Sequence, residues 1–157
     1  MTWWERWSFN TLHVTVAATG IVYFWMKYLL ATDDPFAIVN HPWEPAMLTA
    51  HVIAAPFFIA FFGMVFRSHT FRKLYSPDPA NRWTGWTSLV SFSIMAFSGY
   101  LIQVVTSALL LSVAVWTHVA ASVVFLLGYT SHWLNGWRIN RLPSGTHGVG
   151  APARVST

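Results

Sequence analysis

The chain contains no cysteine among its 157 residues. Disulfides, thiolate-bound metals, iron–sulfur clusters and covalent attachment of a c-type haem are therefore excluded. Charge is scarce as well: 9% of the residues are Asp, Glu, Lys or Arg, against about 25% in an ordinary soluble domain. The few charges are segregated. Three windows hold none at all: Trp7 to Met26, Pro45 to Phe66, and the 55 residues from Trp83 to Trp137. This pattern excludes a soluble enzyme, a nucleic-acid module and a disordered tail. With no carboxylate inside any window, it also argues against a proton-coupled carrier and a di-iron carboxylate site.

What fills the windows is apolar: 55% of the chain is hydrophobic and 17% aromatic. One crossing of the hydrocarbon core takes about 20 apolar residues, so the first two windows hold one crossing each and the third holds two. The fold class expected is an all-α integral membrane protein, a four-transmembrane-helix bundle forming one domain over residues 1–138. The helices are expected at 7–30, 46–67, 84–106 and 109–136, the last two joined by a tight hairpin near Thr106-Ser107-Ala108. Residues 139–157 are rich in Gly, Pro and Ser and read as a flexible tail. No repeat at a fixed period is visible, and the two helix pairs do not align residue by residue, so an inverted-repeat transporter has no support from the sequence.

Four crossings put both termini and the second loop on one side. Eight of the nine basic residues fall there: Arg6, Arg67, Arg72, Lys73, Arg82, Arg138, Arg141 and Arg154. The other side has Lys27 with Asp33, Asp34 and Glu44. By the positive-inside rule both termini are cytoplasmic. The first helix is expected to be retained, because Met1 to Arg6 lacks a basic n-region and no small-residue cleavage site follows the apolar stretch.

Histidine supplies the chemistry at membrane depth. His13 lies in the first span, His51 in the second, and His118 and His132 in the fourth. His13 follows Arg6 by seven residues and His132 precedes Arg138 by six, which gives them matching depth on the cytoplasmic side. His51 follows Glu44 by seven, and His118 follows the hairpin's Ala108 by ten; both belong to the outer half. His118 and His132 are 14 residues apart, close to four turns, so they share one helix face about 21 Å apart. Depth then pairs His51 with His118 and His13 with His132. Two imidazoles without a carboxylate or thiol suit haem iron, which needs two axial ligands, better than zinc, which takes four ligands or three and water. Small residues on the same faces, Gly20 after His13 and Gly128 before His132 among them, leave room for a porphyrin. The competing reading makes each histidine a hydrogen-bonded packing residue of the kind common between membrane helices.

This ligand topology resembles the four-helix di-haem cytochrome b superfamily, which includes the membrane subunits of formate dehydrogenase and nickel–iron hydrogenase and the bacterial cytochromes b561. Leu12-His13 running to Ala18-Thr19-Gly20 is similar to that family's first-helix signature, and the resemblance covers residues 5–138. It implies an electron-transfer subunit with two b-type haems, the outer on His51 and His118 and the inner on His13 and His132. Electrons would pass between a periplasmic partner and the quinone pool, the partner being a multihaem cytochrome c, a hydrogenase or a molybdenum/iron–sulfur enzyme. Catalysis by this chain alone would be limited to quinone oxidation or reduction. The alternative, from another class, is a haem-free membrane scaffold or a metal-handling assembly factor.

Three further residues are candidates for quinone or docking roles. His69 shares a face with His51, five turns on, and is the alternative to His132 as ligand; its position beyond Arg67 also suits proton handling at the interface. His41, in Asn40-His41-Pro42-Trp43-Glu44-Pro45, reads equally as a docking loop and as a turn that starts a helix. Gln103, deep in the third span, faces a cofactor or bonds to a neighbouring helix. Lys27 either meets a haem propionate or snorkels to the interface.

Overall fold

A computed structural model describes residues 2–30, 41–67 and 82–141. Four long helices account for nearly all of them, and among the described residues there is no strand. The first helix, α1 (Trp3–Phe24), begins earlier than the charge pattern implies because Thr2 and Glu5 form a capping box. The Thr2 hydroxyl accepts the Glu5 N–H at 3.2 Å, and the Glu5 carboxylate accepts the Thr2 N–H at 2.8 Å. Two backbone donors that the first turn leaves over are thereby satisfied. The helix widens into a π-helical turn, Trp25–Leu29, before ending at Leu30.

Helix α2 (Glu44–Val65) carries Pro45 in its first turn, where a missing N–H costs nothing. His41 prepares that start, its carbonyl accepting the Glu44 N–H at 2.9 Å and its Nδ1 accepting the Trp43 N–H at 3.2 Å. Helix α3 (Arg82–Val104) and helix α4 (Ala108–Arg141) are joined by only three residues, the tight hairpin that the sequence implies. Helix α4 runs past residue 136 to Arg141, two residues short of Pro143, where the restriction on residues preceding a proline disfavours further helix.

Among the described residues three helices are long and apolar enough to cross a membrane: α2, Gly85–Val104 within α3, and Ala108–Asn135 within α4. Helix α1 is equally long, but Ser8, Asn10, Thr11, His13, Thr15 and Thr19 dilute its apolar character. Two of those hydroxyls turn back onto their own helix: Thr15 donates to the Thr11 carbonyl at 2.9 Å and Thr19 to the Thr15 carbonyl at 2.7 Å. Bonds of this kind satisfy a hydroxyl without a partner helix.

The chain divides into two compact units, Met1–Asp78 and Pro79–Thr157. In the first, α1 packs along α2; in the second, α3 packs along α4. Phe58 anchors the first hairpin and Phe125 the second, each 2% exposed. The Phe58 ring lies 5.3 Å from that of Phe9, and the Phe125 ring 5.5 Å from that of Phe92.

Candidate functional site: two seated histidines

In the first hairpin, His51 of α2 leans onto α1. Its Nδ1 is 3.0 Å from the Val16 carbonyl and 3.3 Å from the Thr19 hydroxyl oxygen. A carbonyl only accepts, so Nδ1 carries the proton. The hydroxyl agrees: its single proton goes to the Thr15 carbonyl at 2.7 Å, leaving Oγ1 to accept from the ring. Donation from Nδ1 fixes the tautomer and makes Nε2 the basic nitrogen of the ring.

The close approach depends on Gly20. Val16 and Gly20 are one helical turn apart, and a side chain at position 20 would stand over the carbonyl that the imidazole reaches. A Cβ there would lie 2.9 Å from His51 Cε1 and 3.1 Å from its Nδ1. The sequence associates Gly20 with His13; the fold sets it against His51 instead.

The second hairpin builds the same seat from other residues. His118 of α4 leans onto α3, its Nδ1 donating to the Met95 carbonyl at 2.9 Å, with the Ser98 hydroxyl oxygen at 3.4 Å. Ser98 donates its own proton to the Ile94 carbonyl at 2.7 Å, so it too faces the ring as an acceptor. A Cβ on Gly99 would lie 3.2 Å from His118 Cε1 and 3.3 Å from its Nδ1. The hydroxyl of Ser122 donates to the carbonyl of His118 itself at 2.7 Å.

His13 has a different setting. It is 8% exposed, stacked on Phe9 at 6.3 Å and packed against Phe58 at 5.7 Å, an aromatic surround. His132 is half-buried on α4, on the same face as His118. Gly128 serves helix packing, since a Cβ on it would meet the Ser88 hydroxyl of α3 at 3.1 Å. Gln103 bonds within its own helix, to the Gly99 carbonyl at 3.4 Å. Lys27 pairs with Glu44 at 2.9 Å, joining the end of the first helix to the start of the second. His41 organises the first turn of α2, as described above. His69 lies outside the described residues.

Thr19, Ser98 and Gly99 are the site residues that reading for ionisable groups misses. Their signal was present as Thr19-Gly20 and Ser98-Gly99, each 12 residues after the second tryptophan of a Trp-x-x-Trp pair. Among the described residues no cluster of three or more His, Cys, Asp or Glu side chains is placed to hold a metal ion. What the site offers is single imidazoles with fixed tautomers. No family model matches the chain, and no curated protein or solved structure matches it significantly.

Proposed function

We propose that this protein is a four-span membrane cytochrome b, an electron-transfer subunit carrying two b-type haems in a bacterial inner membrane. On this reading α1 is the fourth span, and both termini lie on the cytoplasmic side with the eight basic residues. His51 and His118 hold the outer haem and His13 and His132 the inner, the pairing that their depth in the sequence implies. The single observation that carries the reading is the seat shared by His51 and His118. A ring whose Nδ1–H is tied to a backbone carbonyl presents Nε2 in the neutral, basic form that binds a metal, and its orientation is set by the same bond. The donor set fits haem, which asks for axial nitrogens and no carboxylate.

When bound, haem supplies a one-electron ferric/ferrous couple. The chain's own residues orient the imidazoles, hold the Nδ1 protons on Val16 and Met95, and exclude water with Phe9, Phe58, Phe92 and Phe125. The partner is a periplasmic redox protein, and quinone is the membrane-side substrate, with His69, His41 and Gln103 the remaining candidates to serve either. The rival, a haem-free scaffold or metal-handling assembly factor, draws on the aromatic packing around His13.

A pyridine haemochrome assay with a reduced-minus-oxidised spectrum on the purified full chain separates the two. The cytochrome reading expects about two haems b per chain, falling to about one in His51→Ala or His118→Ala. A folded preparation without haem sinks it and leaves the scaffold.

A further inference from the structure

We infer that the two hairpins are copies of one unit, and that Thr19–Gly20 and Ser98–Gly99 are its positioning residues, aiming Nε2 of His51 and His118 respectively. The inference rests on the reading of those two histidines as ligands.

The helix pairs do not align along their whole length; the correspondence is confined to the residues that build the seat. Val16, Thr19 and Gly20 of α1 match Met95, Ser98 and Gly99 of α3 at a shift of 79 positions. His51 and Phe58 of α2 match His118 and Phe125 of α4 at a shift of 67. The matched residues do the same things: the carbonyl accepts from Nδ1, the hydroxyl accepts while donating to its own helix, and the glycine clears the ring. A second feature, independent of the histidines, repeats with them. Trp4, Trp7 and Ser8 line a groove of about 360 Å³ on the first hairpin. Trp83, Trp86 and Thr87, again 79 positions on, line one of about 400 Å³ on the second. The two shifts differ by 12 residues because three residues join α3 to α4, whereas a longer connection joins the helices of the first hairpin.

The copies differ at the other two histidines. The position matching His13 is Phe92, and Phe92 packs on Phe125 as His13 packs on Phe58. The position matching His132 is Val65. Of these four histidines, His51 and His118 therefore belong to the repeated unit and have the repeated seat. A hydroxyl whose proton is already committed and a missing Cβ serve one purpose there: the ring lies against the neighbouring helix with its Nδ1 on that helix's carbonyl.

The test uses the full chain, purified in detergent and labelled with 15N-histidine, studied by NMR after dithionite reduction, with haem content measured alongside. The variants are Gly20→Ala, Gly99→Ala, Thr19→Val and Thr19→Ser, with Gly63→Ala and Gly85→Ala as controls, since a Cβ at either control meets nothing within 4 Å. Both seated rings are expected to be protonated at Nδ1. Gly20→Ala is expected to shift the His51 resonances and remove about half of the haem, and Gly99→Ala to act on His118 more mildly, its contact being 0.3 Å looser. Thr19→Val should raise the midpoint potential of one haem, because a less polarised Nδ1–H makes the imidazole a weaker donor to ferric iron; Thr19→Ser should restore it. Protonation at Nε2 instead, or Gly20→Ala and Gly99→Ala variants indistinguishable from the controls, overturns the inference. Absence of haem from the unaltered chain is a failure of the proposed function alone, since the tautomers and the glycine effects on them are read with or without it.

Discussion

Replacing Lys27 with methionine tests how the first hairpin is held at the end where its two helices are connected. Lys27 Nζ lies 2.9 Å from Glu44 Oε1, and the Glu44 side chain is 9% exposed against 37% for Lys27. The second carboxylate oxygen, Oε2, is buried with no hydrogen-bond partner among the described residues. Lys27→Met thus strands a buried charge, and breaking a buried pair this way costs about 3–5 kcal/mol. One-third exposure of the lysine lets water screen the pair, which brings the expectation down to about 2 kcal/mol. For a chain of this length that corresponds to a fall in melting temperature of about 4–8 °C. Glu44→Gln leaves a lysine that water can reach and should cost about half as much. The double variant Lys27→Met/Glu44→Gln should be more stable than Lys27→Met alone, because no charge remains to be buried. Intrinsic fluorescence of the ten tryptophans during a thermal ramp in detergent reads all four proteins. If Lys27→Met is no worse than Glu44→Gln, or if the two losses simply add, the pair is a surface contact and the reasoning fails.

Two more outcomes follow from the packing. Phe58→Ala and Phe125→Ala each empty a position that is 2% exposed and should each cost about 3–5 kcal/mol in the same assay, whereas Trp83→Ala, at an 86% exposed site, should cost well under 1 kcal/mol. Gln103→Leu removes only a 3.4 Å bond to its own helix and should leave stability and haem content within error; a marked fall in haem would restore Gln103 as a cofactor contact.

The helices were legible in the sequence because a membrane leaves the chain little choice. Backbone groups in hydrocarbon must bond within the segment, so charge-free windows become helices. A connection without charge after Val104 followed from the same arithmetic, since the 55-residue window holds two crossings and no charged loop between them. Helix ends were less legible. Local chemistry sets them, and the Thr2–Glu5 capping box and the run of α4 to Arg141 lie beyond what counting charges detects.

Candidate ligands stood out for an equally general reason: the charge-free windows hold few polar groups that could bind a metal, and their histidines are His13, His51, His118 and His132. The shared face of His118 and His132 came with the spacing, because helical rise and twist are constant. The seats did not. Val16 and Met95 act through their carbonyls, which no side chain announces, and the hydroxyls of Thr19 and Ser98 and the bare backbones of Gly20 and Gly99 matter only because a ring from another helix lies on them. The repeat stayed hidden because connections of different length put its two halves at shifts of 79 and 67, so no single period aligns both. The sequence by itself therefore determined the helices and the helix face on which each histidine stands, quantities set by local hydropathy and fixed helical geometry. Only the tertiary structure decided which imidazoles are anchored, at which nitrogen and against which glycine, because those depend on contacts between residues more than 20 positions apart.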